Sequence, residues 1–326
     1  MELRKDYILD RWVIIAKNRG KRPHQMKSKD DIYAADPGPE KCFFCPGHED
    51  QTPPEIGRIK DDKGGWKLRW FKNKFPAADK KGSPEIKTAD TFFMYSDAYG
   101  EHEVIVETND HKKQMIDLDE EDIRNILRVY ARRIEELENE PHTKYVAVFK
   151  NEGNKAGTSI VHSHSQLISL NIIPPEVQAK LDAVRNHDSC PYCEIIKTES
   201  KSLRRIHEDD TCVAFAPYAS RFNFETWIFP KSHYKSLIDF SDDELFKLAT
   251  AMKIILQKMK ELNASFNILV YYAPDGHDLH FHIEILPRIA DWAGLEFETG
   301  VTINSVSPED AAKFYRGEKE ESEQKK

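Results

Sequence analysis

One pattern occurs twice in this chain. Glu103–Leu118 reads EVIVETNDHKKQMIDL, and Glu225–Phe240 reads ETWIFPKSHYKSLIDF. Each is a β-rich apolar run, a turn, a histidine, and an apolar pair closing on Asp. Each leads into an acidic helix start, Asp119-Glu120-Glu121-Asp122 in one half and Ser241-Asp242-Asp243-Glu244 in the other. Carboxylates there suit the positive end of the helix dipole. Helical spacing then carries Ile123, Ile126, Leu127, Tyr130, Ile134 and Leu137 in the first half, and Leu245, Leu248, Met252, Ile255, Leu256 and Met259 in the second. A strand follows each helix (Tyr145–Phe149, Phe266–Tyr272), then a loop, then a second strand bearing His-x-His (His162–Leu170, His280–Leu286). A sequence that repeats itself this way restricts the fold to a duplicated α+β unit. Residues 171–187, with Pro174-Pro175, read as the linker, which puts the first unit at 1–172 and the second at 188–326. Extra sequence after the first cysteine pair, including Gly64-Gly65-Trp66 and Arg69-Trp70-Phe71, distinguishes the first unit.

Each unit is preceded by its own C-x-x-C. Four of the five cysteines form Cys42-x-x-Cys45 and Cys190-x-x-Cys193, while Cys212 lies in an apolar run and reads as strand packing. Nothing in Met1-Glu2-Leu3-Arg4-Lys5-Asp6 resembles the apolar core of an export signal, so a cytoplasmic protein is expected. In that setting C-x-x-C pairs point to metal or redox chemistry before structural disulfides. Neither pair has a strand-to-helix redox setting in the sequence, since Pro and Gly follow the first and Pro interrupts the second. Zinc takes thiolates and neutral imidazoles, often as two of each. The order Cys, Cys, His, His recurs, giving Cys42, Cys45, His111 and His162 as one set and Cys190, Cys193, His233 and His280 as the other. Two zinc sites are expected. His24, His48, His102, His142, His187 and His207 lack this pattern and receive no role; His277 and His282 lie nearer the second set.

The net charge of −8 argues against general affinity for nucleic acid or an anionic membrane. A phosphate compound would have to be held by local groups. The two His-x-His segments differ in what they offer one. Residues two apart on a strand share a face, so His164 projects beside the metal ligand His162 with a nitrogen to spare. Imidazole is a competent nucleophile near neutral pH, and a covalent intermediate divides one displacement into two. Gln166 shares that face and can donate to a phosphate oxygen. Upstream, Asn151-Glu152-Gly153-Asn154-Lys155-Ala156-Gly157-Thr158-Ser159 has the glycines, hydroxyls and lysine that suit close approach to phosphate. The second half reads His280-Phe281-His282-Ile283-Glu284, and its glutamate is a poor neighbour for a phosphoryl group. Only the first half reads as catalytic.

His162-Ser163-His164-Ser165-Gln166 resembles the histidine-triad superfamily, and the duplicated layout resembles the galactose-1-phosphate uridylyltransferase family within it. Further matching segments are Asp10–Ala16 followed by Arg19-Gly20-Lys21-Arg22-Pro23, Cys42–Glu49 leading to Thr52-Pro53-Pro54-Glu55, Asn73-Lys74-Phe75-Pro76, and Gly100–Thr108. The resemblance implies two tandem histidine-triad-like domains, each an antiparallel sheet with helices, and a habit of forming homodimers. It implies a ping-pong cycle in which His164 takes a uridylyl group from UDP-glucose and passes it to galactose 1-phosphate. Arg19, Arg22 and Asn73 fall where the family contacts nucleotide and phosphate. Asn151, Gly157, Ser159 and Gln166 fall where it holds phosphate oxygens, and the first zinc is structural. The chain departs from the pattern at Ser163, where the family has proline, and at Glu296, Val301 and Thr302, where the family has sugar contacts. Those changes keep open a sister activity, such as an ADP-sugar phosphorylase using the same histidine. A zinc-stapled nucleotide-binding module without catalysis is the third reading.

Overall fold

The computed structural model describes residues 1–15 and 36–318. Strands β1 (Glu2–Lys5) and β2 (Trp12–Ile15) open the chain as a hairpin. The first half continues through β3 (Glu55–Lys60), β4 (Trp66–Lys72), the short β5 (Lys87–Thr88) and β6 (Met94–Tyr95), β7 (His102–Val106), helix α1 (Glu120–Glu138), β8 (Tyr145–Glu152) and β9 (His164–Leu170). Helices α2 (Pro175–Arg185) and α3 (Pro191–Glu199) lead to β10 (Arg205–Glu208), β11 (Cys212–Phe215), β12 (Thr226–Pro230), α4 (Asp242–Leu262), β13 (Phe266–Tyr271) and β14 (His282–Pro287). Then come α5 (Gly294–Thr299), β15 (Thr302–Asn304) and α6 (Pro308–Arg316). The order strand, helix, strand, strand is thus present in both halves, as β7-α1-β8-β9 and β12-α4-β13-β14.

The two long helices begin where the acidic starts predict. The Asp119 carboxylate accepts from the Asp122 N–H at 2.8 Å, and Ser241 and Glu244 cap each other reciprocally at the start of α4. Each helix lays one apolar stripe on the sheet. Ile123, Ile126, Tyr130 and Ile134 of α1, and Leu248, Met252, Ile255 and Met259 of α4, are each 2% exposed or less and share one core with Val146, Val148, Leu167, Ile268 and Ile283. Burying each of these large side chains contributes roughly 1.5–3 kcal/mol.

The halves are not separate layers. Ten strands form one antiparallel sheet in the order β10-β11-β12-β14-β13-β8-β9-β7-β4-β3. The seam is β8 against β13, with Val148 opposite Val270 and Lys150 opposite Ile268. The extra sequence of the first half is the β3–β4 hairpin, which extends the sheet at one end. A second, three-stranded sheet pairs β2 with both β1 and β15, so the start of the chain lies against the end of the second half.

Within the segment read as a linker, residues 175–185 form the helix α2. Its proline pair is a start signal, because Pro175 takes the first helical position, where no N–H is needed. Val177, Leu181 and Val184 are buried along one side, and Lys180 is only 2% exposed. Likewise Pro191 does not interrupt the second C-x-x-C but starts α3, with Cys190 as its cap residue.

Alternation along the strands assigns the two sheet faces. On β9, Ser165, Leu167 and Ser169 are buried on the helix side, while His164, Gln166 and Ile168 point the other way. Register brings Val106 opposite His164, Val104 opposite Gln166, and Phe149 of β8 opposite Gln166 on the other flank. On this second face Cys42, Phe44, Cys45, Trp66, Phe71, Val104 and Val106 make a smaller apolar cluster of their own.

Candidate active site and metal centres

The turn holding Cys42 and Cys45 packs in that smaller cluster, and His111 and His162 come to meet it. The ligand atoms of these four buried residues all lie within 4.8 Å of one another. Sulfur-to-nitrogen separations are 3.6 Å from Cys42 to His162 Nδ1, 3.5 Å from Cys45 to His162 Nδ1, and 3.2 Å from Cys45 to His111 Nδ1. A tetrahedron built with zinc–sulfur and zinc–nitrogen bonds of about 2.3 and 2.0 Å has edges of about 3.6 Å. The second nitrogen of each ring is also engaged. His162 Nε2–H donates to the Thr108 carbonyl at 2.7 Å and His111 Nε2–H to Asp36 at 2.8 Å, so both rings turn Nδ1 lone pairs inward. Burial, then the neighbouring Cys42, pushes the Cys45 thiol up to about 12. A cation drawn among these ligands is what would let that thiol ionise. The donor set therefore fits zinc.

The second cluster repeats this chemistry. Cys190, Cys193, His233 and His280 also converge within 4.8 Å, with His233 exposed and both cysteines half-buried. His233 Nε2 meets Asp278 at 2.9 Å and His280 Nε2 meets the Pro230 carbonyl at 2.9 Å. Asp278 thus corresponds to Asp36, and Pro230 to Thr108.

His164 opens β9, two residues after His162, which lies on the bend before the strand and not in the strand as its sequence suggested. Its Nδ1–H donates to the His162 carbonyl at 2.9 Å, which leaves the lone pair on Nε2. Burial, reinforced by the Lys150 ammonium, lowers its pKa to about 4, so the ring is neutral at pH 7. Phe44 meets it edge-on at 5.4 Å between centroids. Behind the strand, Lys150 donates to Glu107 Oε2 at 2.8 Å, to Ser163 Oγ at 3.0 Å and to the His164 carbonyl at 3.2 Å, and pairs with Glu152 at 3.0 Å. Ser163 is tied in as well, its hydroxyl donating to Glu107 at 2.6 Å. The serine that replaces the family's proline is therefore part of a buried charge network supporting the His-x-His backbone.

The structure brings several expected phosphate-contact residues to one face. Asn151 shares a narrow crevice with Thr158, Ile160, His162 and His164, and its Oδ1 accepts from Asn267 Nδ2 at 2.9 Å. Gly157 (φ 90°) lets the chain turn beside Asn151, and Ser159 is exposed on the bend that follows. Gln166 is half-buried, and Asn73 directly follows β4. Arg19 and Arg22 lie outside the described residues. Glu296 caps α5 through the Ala293 N–H at 2.9 Å, and Thr302 is buried in β15. Glu296, Val301 and Thr302 thus sit in or beside the small sheet, not the sheet that carries His164.

His102 is a residue that pattern-reading passed over. It is 7% exposed at the start of β7, with Nε2 at 2.9 Å from Gln166 Oε1 and 3.2 Å from Asn73 Nδ2. The strand register would have revealed it, since His102, Val104 and Val106 share the face of Gln166 and His164. Asp36, Asp278, Lys150 and Glu107 were also missed, each distant in sequence from the group it serves.

His282, in the position equivalent to His164, keeps the same bond to a carbonyl two residues back, His280 O at 2.9 Å. The rest differs. It is wholly buried, stacked between Tyr271 and Phe229. The Lys180 ammonium of α2 lies 3.1 Å from its Nε2 and 2.7 Å from Glu284, so the lone pair is occupied.

Residues 1–174 match the family model of the N-terminal domain of galactose-1-phosphate uridyl transferase. The chain is 35% identical over 329 residues to an ADP-glucose phosphorylase of Arabidopsis thaliana, covering 97% of this chain and 92% of that one. It is 28% identical over 334 residues to a galactose-1-phosphate uridylyltransferase of Thermotoga maritima, covering 97% and 98%. Among solved structures, an Arabidopsis thaliana ADP-glucose phosphorylase with bound ADP-glucose superposes with TM-score 0.81 at 32% identity, covering 98% of this chain and 99% of that one. A uridylyltransferase superposes with TM-score 0.74 at 27% identity, covering 97% and 98%.

Proposed function

The chain belongs to the galactose-1-phosphate uridyl transferase family, and on that premise we propose that it transfers a nucleotidyl group through a covalent bond to His164. The observation that carries this reading is the state of His164: a neutral ring, its Nδ1–H anchored on the His162 carbonyl, and its Nε2 without a hydrogen-bond partner among the described residues. That lone pair attacks the α-phosphorus of a nucleotide sugar. The bond from phosphorus to the bridging oxygen breaks, and sugar 1-phosphate leaves with the electron pair. The nucleotidyl-imidazole so formed is positive, and the His162 carbonyl accepts from its Nδ1–H throughout. A phosphate oxygen of the acceptor then attacks the same phosphorus, the P–N bond breaks, and neutral His164 is restored.

Gln166 and Asn151 supply amide donors for the phosphoryl oxygens, where developing charge is best stabilised by fixed donors. Zinc held by Cys42, Cys45, His111 and His162 would be structural, fixing the backbone whose carbonyl orients His164. A second zinc on Cys190, Cys193, His233 and His280 would staple α3 to the segments that follow β12 and precede β14 in the same half. His282 takes no part, because Lys180 already occupies its Nε2.

For the substrate, the reading we favour is phosphorolysis of an ADP-sugar, with inorganic phosphate as acceptor. The 35% identity to an ADP-glucose phosphorylase, against 28% to a galactose-1-phosphate uridylyltransferase, supports it over uridylyl exchange between UDP-glucose and galactose 1-phosphate. Product analysis distinguishes them. The protein is incubated with ADP-glucose or UDP-glucose, each with either phosphate or galactose 1-phosphate. ADP and glucose 1-phosphate formed from ADP-glucose and phosphate are the expected result. Turnover only of UDP-glucose with galactose 1-phosphate overturns the ADP-sugar reading, and no turnover of any pair leaves a nucleotide-binding module.

A further inference from the structure

His102 lies at the junction of two groups that the proposed chemistry needs and that sit far apart in sequence. Its Nδ1 is 3.0 Å from the backbone N–H of Ala77. A backbone N–H can only donate, so Nδ1 is an acceptor and carries no proton. Burial lowers the pKa of the ring, so it is neutral, and the one ring proton is therefore on Nε2. That proton needs an acceptor, and the only oxygen in hydrogen-bond contact with Nε2 among the described residues is Gln166 Oε1, at 2.9 Å.

This settles which way the Gln166 amide is turned. With Oε1 held by His102, the NH2 group is left free of the ring to donate to another acceptor. Asn73 is oriented in the same way. Its Oδ1 accepts from the Phe75 N–H at 2.9 Å, which turns Nδ2 toward His102 at 3.2 Å. Since Nε2 already bears a proton, it cannot accept from that amide. The Asn73 NH2 hydrogens are left to donate elsewhere. The backbone reinforces the arrangement, because the Asn73 N–H donates to the His102 carbonyl at 2.7 Å. One imidazole therefore holds the Asn73–Ala77 loop at one nitrogen and aims the Gln166 amide with the other.

We propose that His102 is a positioning residue for nucleotidyl transfer, fixing Gln166 and the Asn73–Ala77 loop so that two amide NH2 groups are presented together to the phosphates of a nucleotide sugar. This rests on the reading of His164 as nucleophile. His102 itself touches neither the substrate nor His164. An unaimed amide spends part of its time with its oxygen toward phosphate, where it repels. The loss expected on removing His102 is thus part of the 10²–10³-fold typical of deleting one fixed oxyanion donor, or roughly 10–100-fold.

The test is a set of quenched-flow measurements of His164 nucleotidylation, read by mass spectrometry, with ADP-glucose and UDP-glucose as donors. The proteins are the parent, His102→Phe, His102→Gln, Gln166→Ala and the double variant, each checked for metal content and thermal midpoint. His102→Phe keeps the ring volume and cannot donate, and adduct formation should slow about 10–100-fold. His102→Gln places an amide NH2 where Nε2 was and should recover most of the rate. In the Gln166→Ala background, His102→Phe should slow the reaction clearly less than it does in the parent, because the part of its effect that acts through Gln166 is gone and only the Asn73–Ala77 loop remains to be lost. A general packing defect would instead slow both backgrounds equally and would not be rescued by Gln; that outcome overturns the assignment, as does a His102→Phe rate within twofold of the parent. A parent that forms no adduct with either donor overturns the nucleophile reading, and the role of His102 with it.

Discussion

Lys150→Met tests whether the charge network behind His164 carries the weight its geometry implies. Lys150, Glu107 and Glu152 are 1%, 2% and 3% exposed, and the ammonium lies 2.8 Å and 3.0 Å from the two carboxylates. Methionine fills nearly the same volume, so the substitution removes charge and hydrogen bonds while creating little cavity. Glu107 would keep the Ser163 hydroxyl but lose its cation, and breaking a buried pair from one side costs about 3–5 kcal/mol. Against a total stability of roughly 5–15 kcal/mol, that is a large share. Adding Glu107→Gln removes one of the two carboxylate charges that lose their cation, so the double variant should be destabilised by less than the sum of the singles, with a coupling of about 1–3 kcal/mol. Urea unfolding of the metal-loaded protein measures both. The nucleotidylation rate should fall with Lys150→Met as well, since Lys150 also holds the His164 carbonyl. A loss under about 1 kcal/mol, or strict additivity, would refute the view that this network is a paired, dry unit.

Three further outcomes follow from the same geometry. Metal analysis should find two zinc ions per chain; Cys193→Ser should remove one and leave His164 chemistry intact, while stripping the first site should lower both the thermal midpoint and the activity. Lys180→Met should destabilise the fold by about 2–4 kcal/mol through the stranded Glu284, partly offset by Arg221, which also pairs with it, yet leave nucleotidylation unchanged; appearance of an adduct on His282 would show that Lys180 alone keeps that ring inert. Burial depresses the pKa of His102, so stability that depends on its neutral form is intact above about pH 6.5, the unfolded value, and drains away as pH falls from there. Unfolding free energies measured between pH 7.5 and 5 should drop more steeply for the parent than for His102→Gln.

Much of the site was legible because its chemistry is local or repeated. The two metal sets could be read since C-x-x-C places two sulfurs on one turn and the same histidines recur downstream. His164 and Gln166 could be read because strand alternation puts them on one face. What could not be read depends on register and on long-range pairing. His102 acquires meaning only when β7 lies antiparallel to β9. Asp36 and Asp278 show themselves only once the His111 and His233 rings are oriented. The joining of the halves into one sheet rests on β8 meeting β13, strands more than a hundred residues apart with no mark of their partnership in either sequence. Pro174-Pro175 misled for a different reason: proline signals a break in a helix and also the start of one, and the buried stripe Val177, Leu181, Val184 was the deciding pattern.

The central claim is that His164 forms a bond to phosphorus. Peptide mapping by mass spectrometry after brief incubation with ADP-glucose or UDP-glucose, quenched at neutral or alkaline pH to preserve a phosphoramidate, tests it directly. A single nucleotidyl group on the peptide containing His162–Gln166, localised to His164 and absent from His164→Ala, is the predicted result. An adduct on any other residue, or turnover of nucleotide sugar undiminished in His164→Ala, would contradict it.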